Sequence, residues 1–306
     1  MSRRRVATLL ASGFVAAAAV AAPGSSSPVY AGDDVASVNG ESISVEDFDA
    51  VAEDLGAAGV TPAVSGATVS ADAGRQILSV MILNSLRGQF LAERGESLSD
   101  GELSTQIDAA AQQNPNLTGV GGEVLATHFA YIDRFAQIEA PTEAELAATY
   151  DVSPAQTGVI CLNVISIVGD AESTADALRN GASASDVVAD AGNGSRVQDE
   201  CLSLGELGLT VPGLFHDLIE LRPGELLDPI KTSNGHQILQ VAAFDDIAGE
   251  LVGYFADPPV SPGTGQPQTV GDLLLMGYVV SADVSVNPRY GRWDAATVSI
   301  VPLGQP

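Results

Sequence analysis

Residues 221–241 read LRPGELLDPIKTSNGHQILQV. The first part mixes turns and short extended pieces, and the Asn234-Gly235 pair leads into a strand-like run that ends at Val241. Successive side chains on a strand point to opposite faces. His236 and Gln237 must therefore look to opposite sides of whatever sheet this run joins. A site on one side can use only one of them. Slipping the run by one residue would bring the other inward, but it would also turn Ile238 and Leu239 over.

The surroundings of this stretch have an α+β texture from residue 156 onward. Residues 157–168, TGVICLNVISIV, carry the branched side chains of another strand. Residues 170–192 are helical in pattern and broken by glycine near Gly181. The N-terminal half is different. Val35, Ser37 and the Asn39-Gly40 turn predict a short hairpin. Ser44 with Asp47 predicts a capped helix start. A Gly/Pro/Thr-rich loop follows at 57–70. A long helix is expected over 71–94, with Ile77, Val80, Met81, Leu83, Leu86, Phe90 and Leu91 on an apolar stripe. Further helices are expected after Ser99, through Phe129, Ile132 and Phe135, and over 142–150. His128 sits beside the Phe129 stripe and reads as a packing or surface histidine, because it has no partner at ligand spacing.

Residues 248–272 are rich in Pro and Gly and read as a linker or loop. Residues 273–306 read as strands around an NPRYG turn. These strands and the N-terminal hairpin both need a partner sheet, since two strands are marginal alone. The expectation is that they pair, which makes the α+β part an insertion into a discontinuous helical domain. The expected boundaries are a leader at 1–31, a helical domain at 32–150, the α+β domain at 151–247, the linker at 248–272 and the completing strands at 273–306.

The formal charge is −26, with Lys231 the single lysine. A chain this acidic repels nucleic acid. Arg3, Arg4 and Arg5, an alanine-rich apolar run and VYA before Gly32 form an export leader with a small-x-small cleavage pattern. A single membrane anchor is the alternative, and the SRRRVA start matches a twin-arginine signal only in part. Export favours a disulfide between Cys161 and Cys201; two buried thiols are the other reading. The scattered His128, His216 and His236 and the lack of a C-x-x-C pair argue against a metal site. No cofactor motif is present.

VASVNGESISVEDF at 35–48, LAERGESLSDGELSTQID at 91–108 and TEAELAATY at 142–150 resemble the helical part of SurA-like and PrsA-like exported folding factors. Residues 156–246 resemble a parvulin-type peptidyl-prolyl isomerase domain. Gly205-Glu206-Leu207-Gly208 stands where that family has G-D-L-G. Phe215 stands for the phenylalanine of its F-x-x-A helix, and 221–235 match its L-x-x-G-E-x-S-x-P-v-x-T-x-x-G run. The resemblance implies an apolar proline pocket built by Leu207, Val211 and Phe215, beside two histidines on central strands. The amide barrier such a site must lower is about 18–20 kcal/mol. The two histidine positions fall on Asn163 and Gln237, with His236 taking the place of an aromatic residue. Asn163 and Gln237 could form a neutral hydrogen-bonded pair that keeps the scaffold without the rate.

The resemblance thus implies an extracytoplasmic folding factor with a degenerate isomerase domain. Its partners would be unfolded or proline-containing exported polypeptides, with no nucleic acid and no membrane span after cleavage. An active isomerase and a non-catalytic envelope interaction protein are the alternatives. Nothing supports a hydrolase: there is no G-x-S-x-G and no credible Ser/His/Asp order.

Overall fold

A hairpin opens the described part of the chain. Strands β1 (Asp34–Val38) and β2 (Glu41–Ser44) are joined by Asn39 and Gly40, with φ of 49° and 85°. Positive φ at both central residues is the type I′ geometry whose twist suits a two-residue hairpin. A computed structural model describes residues 34–61, 63–65, 68–192, 194–261 and 265–304. The leader at 1–31 lies outside the described residues, as do residues 262–264 of the Pro/Gly-rich stretch.

Helix α1 (Val45–Ala57) begins at Ser44, whose hydroxyl accepts from the Asp47 amide. The reciprocal carboxylate-to-amide bond of a full capping box is made at Ser99–Glu102 and Thr142–Glu145 instead. These open α3 (Asp100–Gln113) and α5 (Glu143–Val152). Between α1 and α3, α2 (Ala71–Glu93) buries Ile77, Leu78, Ile82, Leu86, Phe90 and Leu91. Helix α4 (Val120–Phe135) packs across α1, α2 and α3. Its buried stripe runs through Leu125, Ala126, Ala130 and Phe135, so the three-residue repeat through Ile132 was misleading; Ile132 is exposed. A backbone hairpin, β3 (Ala63–Ser65) with β4 (Thr68–Val69), fills part of the expected loop.

A 3-10 turn (Pro154–Thr157) then leads into β5 (Val159–Ile167), α6 (Ala171–Arg179), α7 (Ala184–Ala191), β6 (Arg196–Ser203), α8 (Leu204–Thr210), α9 (Phe215–Ile219), β7 (Ile230–Thr232) and β8 (Gly235–Val241). The four strands make one antiparallel sheet in the order β6-β5-β8-β7. Gly235 turns β7 into β8 at φ 136°, and a Cβ there would lie 2.2 Å from the Ile167 carbonyl oxygen, so only glycine fits.

The stretch 248–272 is not a linker throughout. Helix α10 (Phe244–Ala256) runs into it as far as Ala256 and buries Phe244, Ile247, Leu251 and Phe255 at helical spacing. Gly249 and Gly253 face open space, so they lower helix propensity without opening a gap. Helix α11 (Val270–Ser281) starts at a third full capping box, Thr269–Asp272. Of the described residues in this stretch, only 257–261 and 265–269 remain outside helices. The C-terminal pattern also hid α11, because VGDLLLMGYVVS is apolar nearly all round and shows no stripe.

Strand β9 (Val284–Val286) pairs with the free edge of β1, Ala36 opposite Val286 and Val38 opposite Val284. Strands β10 (Arg292–Asp294) and β11 (Ser299–Val301) form a separate hairpin that packs on α2 through Ile300. Helix α11 joins the cores. Leu273 belongs to the core with Phe215 and Leu162, whereas Leu275 and Val279 belong to the core with Ile82 and Phe135. Its glycines allow the approach: a Cβ on Gly277 would stand 2.2 Å from the Gln156 carbonyl oxygen, and one on Gly271 2.3 Å from that of Phe135. Among the described residues no helix is long and apolar enough to cross a membrane.

Candidate functional site

Directly opposed residues of an antiparallel pair share a face. In the β5–β8 ladder Ser166 opposes Gln237, Val164 opposes Leu239 and Leu162 opposes Val241. The alternate set is Ile167 with His236, Ile165 with Ile238 and Asn163 with Gln240. Leu162, Val164, Leu239 and Val241 pack into the core that holds Leu207, Phe215 and Leu218. Ile165, Ile167 and Ile238 pack against α6 and α7. Gln237 thus lies on the Phe215 side, and His236 on the other, beside Lys231.

Asn163 also lies on the other side. Its Nδ2 donates to Gln240 Oε1 at 3.3 Å, and Gln240 Nε2 donates to the Gly224 carbonyl at 3.1 Å. The Asn163–Gln237 pair expected from the sequence therefore does not form. Register is the cause: Gln237 is placed opposite Ser166, an odd number of residues from Asn163, so the two amides point through opposite faces. On the Gln237 face β5 presents Leu162, Val164 and Ser166, and no histidine.

Of the expected pocket residues, Leu207 and Phe215 are 0% exposed and act as core. Val211 is half-buried at the end of α8. Helix α8 is set by Ser203, which caps it at the Glu206 amide, and Gly208 lets the Ala296 carbonyl approach. An open cleft of about 590 Å³ lies alongside α9 and β7. Leu214, Leu221, Leu227 and Ile230 give it apolar walls, with Asp217, Glu220 and Asp228 at its edge. Ile230 is the cross-strand partner of Gln237. Asp228 is held by Arg179 at 2.6 Å. Such a cleft can take an apolar ring, but its own polar groups are carboxylates, which accept and do not donate when ionised. A twisted prolyl amide needs a donor.

Cys161 and Cys201 are opposed across β5 and β6 and are joined by a disulfide. The closed loop spans 40 residues, which chain-entropy reasoning values at about 3–4 kcal/mol.

A larger cleft, of about 970 Å³, was not foreseen. Its walls come from the hairpin turn, the end of α2, the start of α5, the 3-10 turn and α11. Glu41, Glu93, Glu139 and Glu145 line it, with Phe90, Leu146 and Leu274 deeper in. The Tyr278 hydroxyl donates to Glu93 Oε1 at 3.0 Å and accepts from Asn39 Nδ2 at 3.3 Å. Burial, with Glu93 close by, pushes the Tyr278 phenol up to about 12, so it stays a neutral donor. These residues come from positions 39 to 282, so no local motif could have marked the site.

No family model matches the chain, and no curated protein matches it. Solved structures do. The chain is similar to PrsA and SurA-like chaperones. PrsA from Bacillus subtilis is 17% identical over 59% of this chain and 74% of that one, with a TM-score of 0.23. The PrsA foldase of Lactococcus lactis is 13% identical over 83% and 95%, at 0.29. A SurA-like chaperone of Campylobacter jejuni is 9% identical over 84% and 99%, at 0.22. Likeness at this level assigns no role to any residue.

The remaining two histidines differ in setting. His216 is exposed on α9, edge-on to Phe215. His128 lies between α4 and α2, where Arg87 Nη1 donates to its Nδ1 at 3.1 Å. The same Nδ1 lies 3.3 Å from Asn84 Oδ1, which can only accept, so the Arg87 and Asn84 contacts favour different tautomers of the ring. Burial, then the Arg87 charge, lower the His128 pKa from 6.5 to about 3. Among the described residues no group of three or more His, Cys, Asp or Glu could hold a metal ion.

Proposed function

We propose that this chain is an exported folding factor that holds unfolded or extended segments of secreted polypeptides, and that its parvulin-like part is catalytically degenerate. In this reading residues 32–150, α11 and the C-terminal strands make a chaperone domain. The parvulin-like insertion runs from 151 through α10, because Phe244, Leu251 and Phe255 share its core. The leader directs the chain out of the cytoplasm.

One observation carries the reading. A fast isomerase of this type would bring a proline-sized apolar cleft together with histidines on one sheet face. Here the sheet face toward Phe215 carries Ser166 and Gln237, while His236 and Asn163 look the other way. The cleft between the hairpin turn, α2, α5 and α11 supports the holding role, since it is open and lined by both apolar and polar groups.

A protease-coupled proline-peptide assay and an aggregation assay on the mature chain test this together. The expected outcome is a rate at background with aggregation suppressed at chaperone excess. A robust isomerase rate would establish the alternative, an active secreted isomerase that uses Gln237. Absence of both activities would refute the folding-factor reading.

A further inference from the structure

We infer that the 970 Å³ cleft receives a positively charged, extended segment of an unfolded polypeptide. This names the client class of the proposed folding factor and rests on that reading.

Charge is the first argument. Four carboxylates, Glu41, Glu93, Glu139 and Glu145, line the cleft, and among the described residues Arg94 is its single cation. The Arg94 guanidinium lies 5.5 Å over the Phe90 ring, its Nε is 3.9 Å from Glu96, and its charge also reaches Glu145, so four carboxylates against one cation leave the rim net negative. All four carboxylates are exposed, so they hold a negative field at the mouth without a desolvation cost.

Shape is the second. Leu274, half-buried, gives the cleft its accessible apolar surface, while Phe90 and Leu146 line it as core residues at 8% and 1% exposure. A lysine or arginine stem can lie along Leu274 with its charge among the rim carboxylates. Thr149 and Gln156 put hydroxyl and amide groups in the wall, where an extended backbone could bond to them. The Tyr278 phenol, held between Glu93 and Asn39, keeps two of these elements in place.

The test uses the mature chain and three fluorescein-labelled 15-residue peptides that share one apolar pattern and carry Lys/Arg, Gln or Glu at the other positions. Fluorescence anisotropy is read at low and high salt. A Glu41→Gln/Glu93→Gln/Glu139→Gln variant, checked for an unchanged melt, completes the set. Support is binding of the basic peptide about tenfold tighter than the Gln peptide, weakened by salt and by the triple variant. Equal affinity for the basic and Gln peptides, or a triple variant that binds like wild type, overturns this inference and leaves the folding-factor reading standing. Spermine that displaces the basic peptide at equal concentration overturns the need for a polypeptide. No binding of any peptide overturns both.

Discussion

His128 should make the stability of this protein depend on acid in a way that one substitution removes. Its folded pKa is about 3, against 6.5 when unperturbed, because the ring is buried and faces the Arg87 guanidinium. A group with a lowered folded pKa contributes stability that is complete above the unfolded value and lost as pH falls toward the folded one. The window is therefore pH 6.5 to 3. At pH 5 the unfolded chain has taken up the proton and the native chain has not. The gap of about 1.5 units corresponds to about 2 kcal/mol at most. His128→Gln keeps an acceptor for Arg87 and cannot titrate. Urea unfolding of both proteins at pH 7.5 and pH 5 isolates the His128 contribution, since the carboxylates and the other histidines are common to both. Wild type should lose about 1–2 kcal/mol more than the variant over that interval. Equal losses would refute the reasoning.

Other outcomes follow from the packing and the sheet. Gly277→Ala drives a methyl group into the Gln156 carbonyl and should cost about 1–3 kcal/mol, read as a lower melting temperature; an unchanged melt would show that α11 can shift. Cys161→Ala/Cys201→Ala should lose about 3–4 kcal/mol in denaturant titration under oxidising conditions, whereas the intact pair loses its advantage only on reduction. Asn163→His should leave any prolyl isomerase rate unchanged, because that side chain points away from the Gln237 face; a rise would mean that the β5–β8 register differs from the one described.

Much of the helical part was legible because its signals are local. Ser99 with Glu102 and Thr142 with Glu145 satisfy helix ends within three residues, and Asn39-Gly40 supplies two positive φ angles in sequence. Helix α11 was missed because an element buried on nearly every side has no apolar stripe to show its period. Helix α10 was hidden because Gly249 and Gly253 lower helix propensity within a run whose four apolar residues are otherwise well spaced.

The opposition of His236 and Gln237 was determined by sequence alone, since alternation within one strand is a property of the backbone. Which of them shares a face with Asn163 was not. That depends on how β5 and β8 are registered, and register is set by the fit of whole apolar faces against α6, α7 and the Phe215 core. The acidic cleft belongs to the same class. Its carboxylates are ordinary surface residues in the sequence, and they face one space only because α11 returns the C-terminal chain between the hairpin turn and α5.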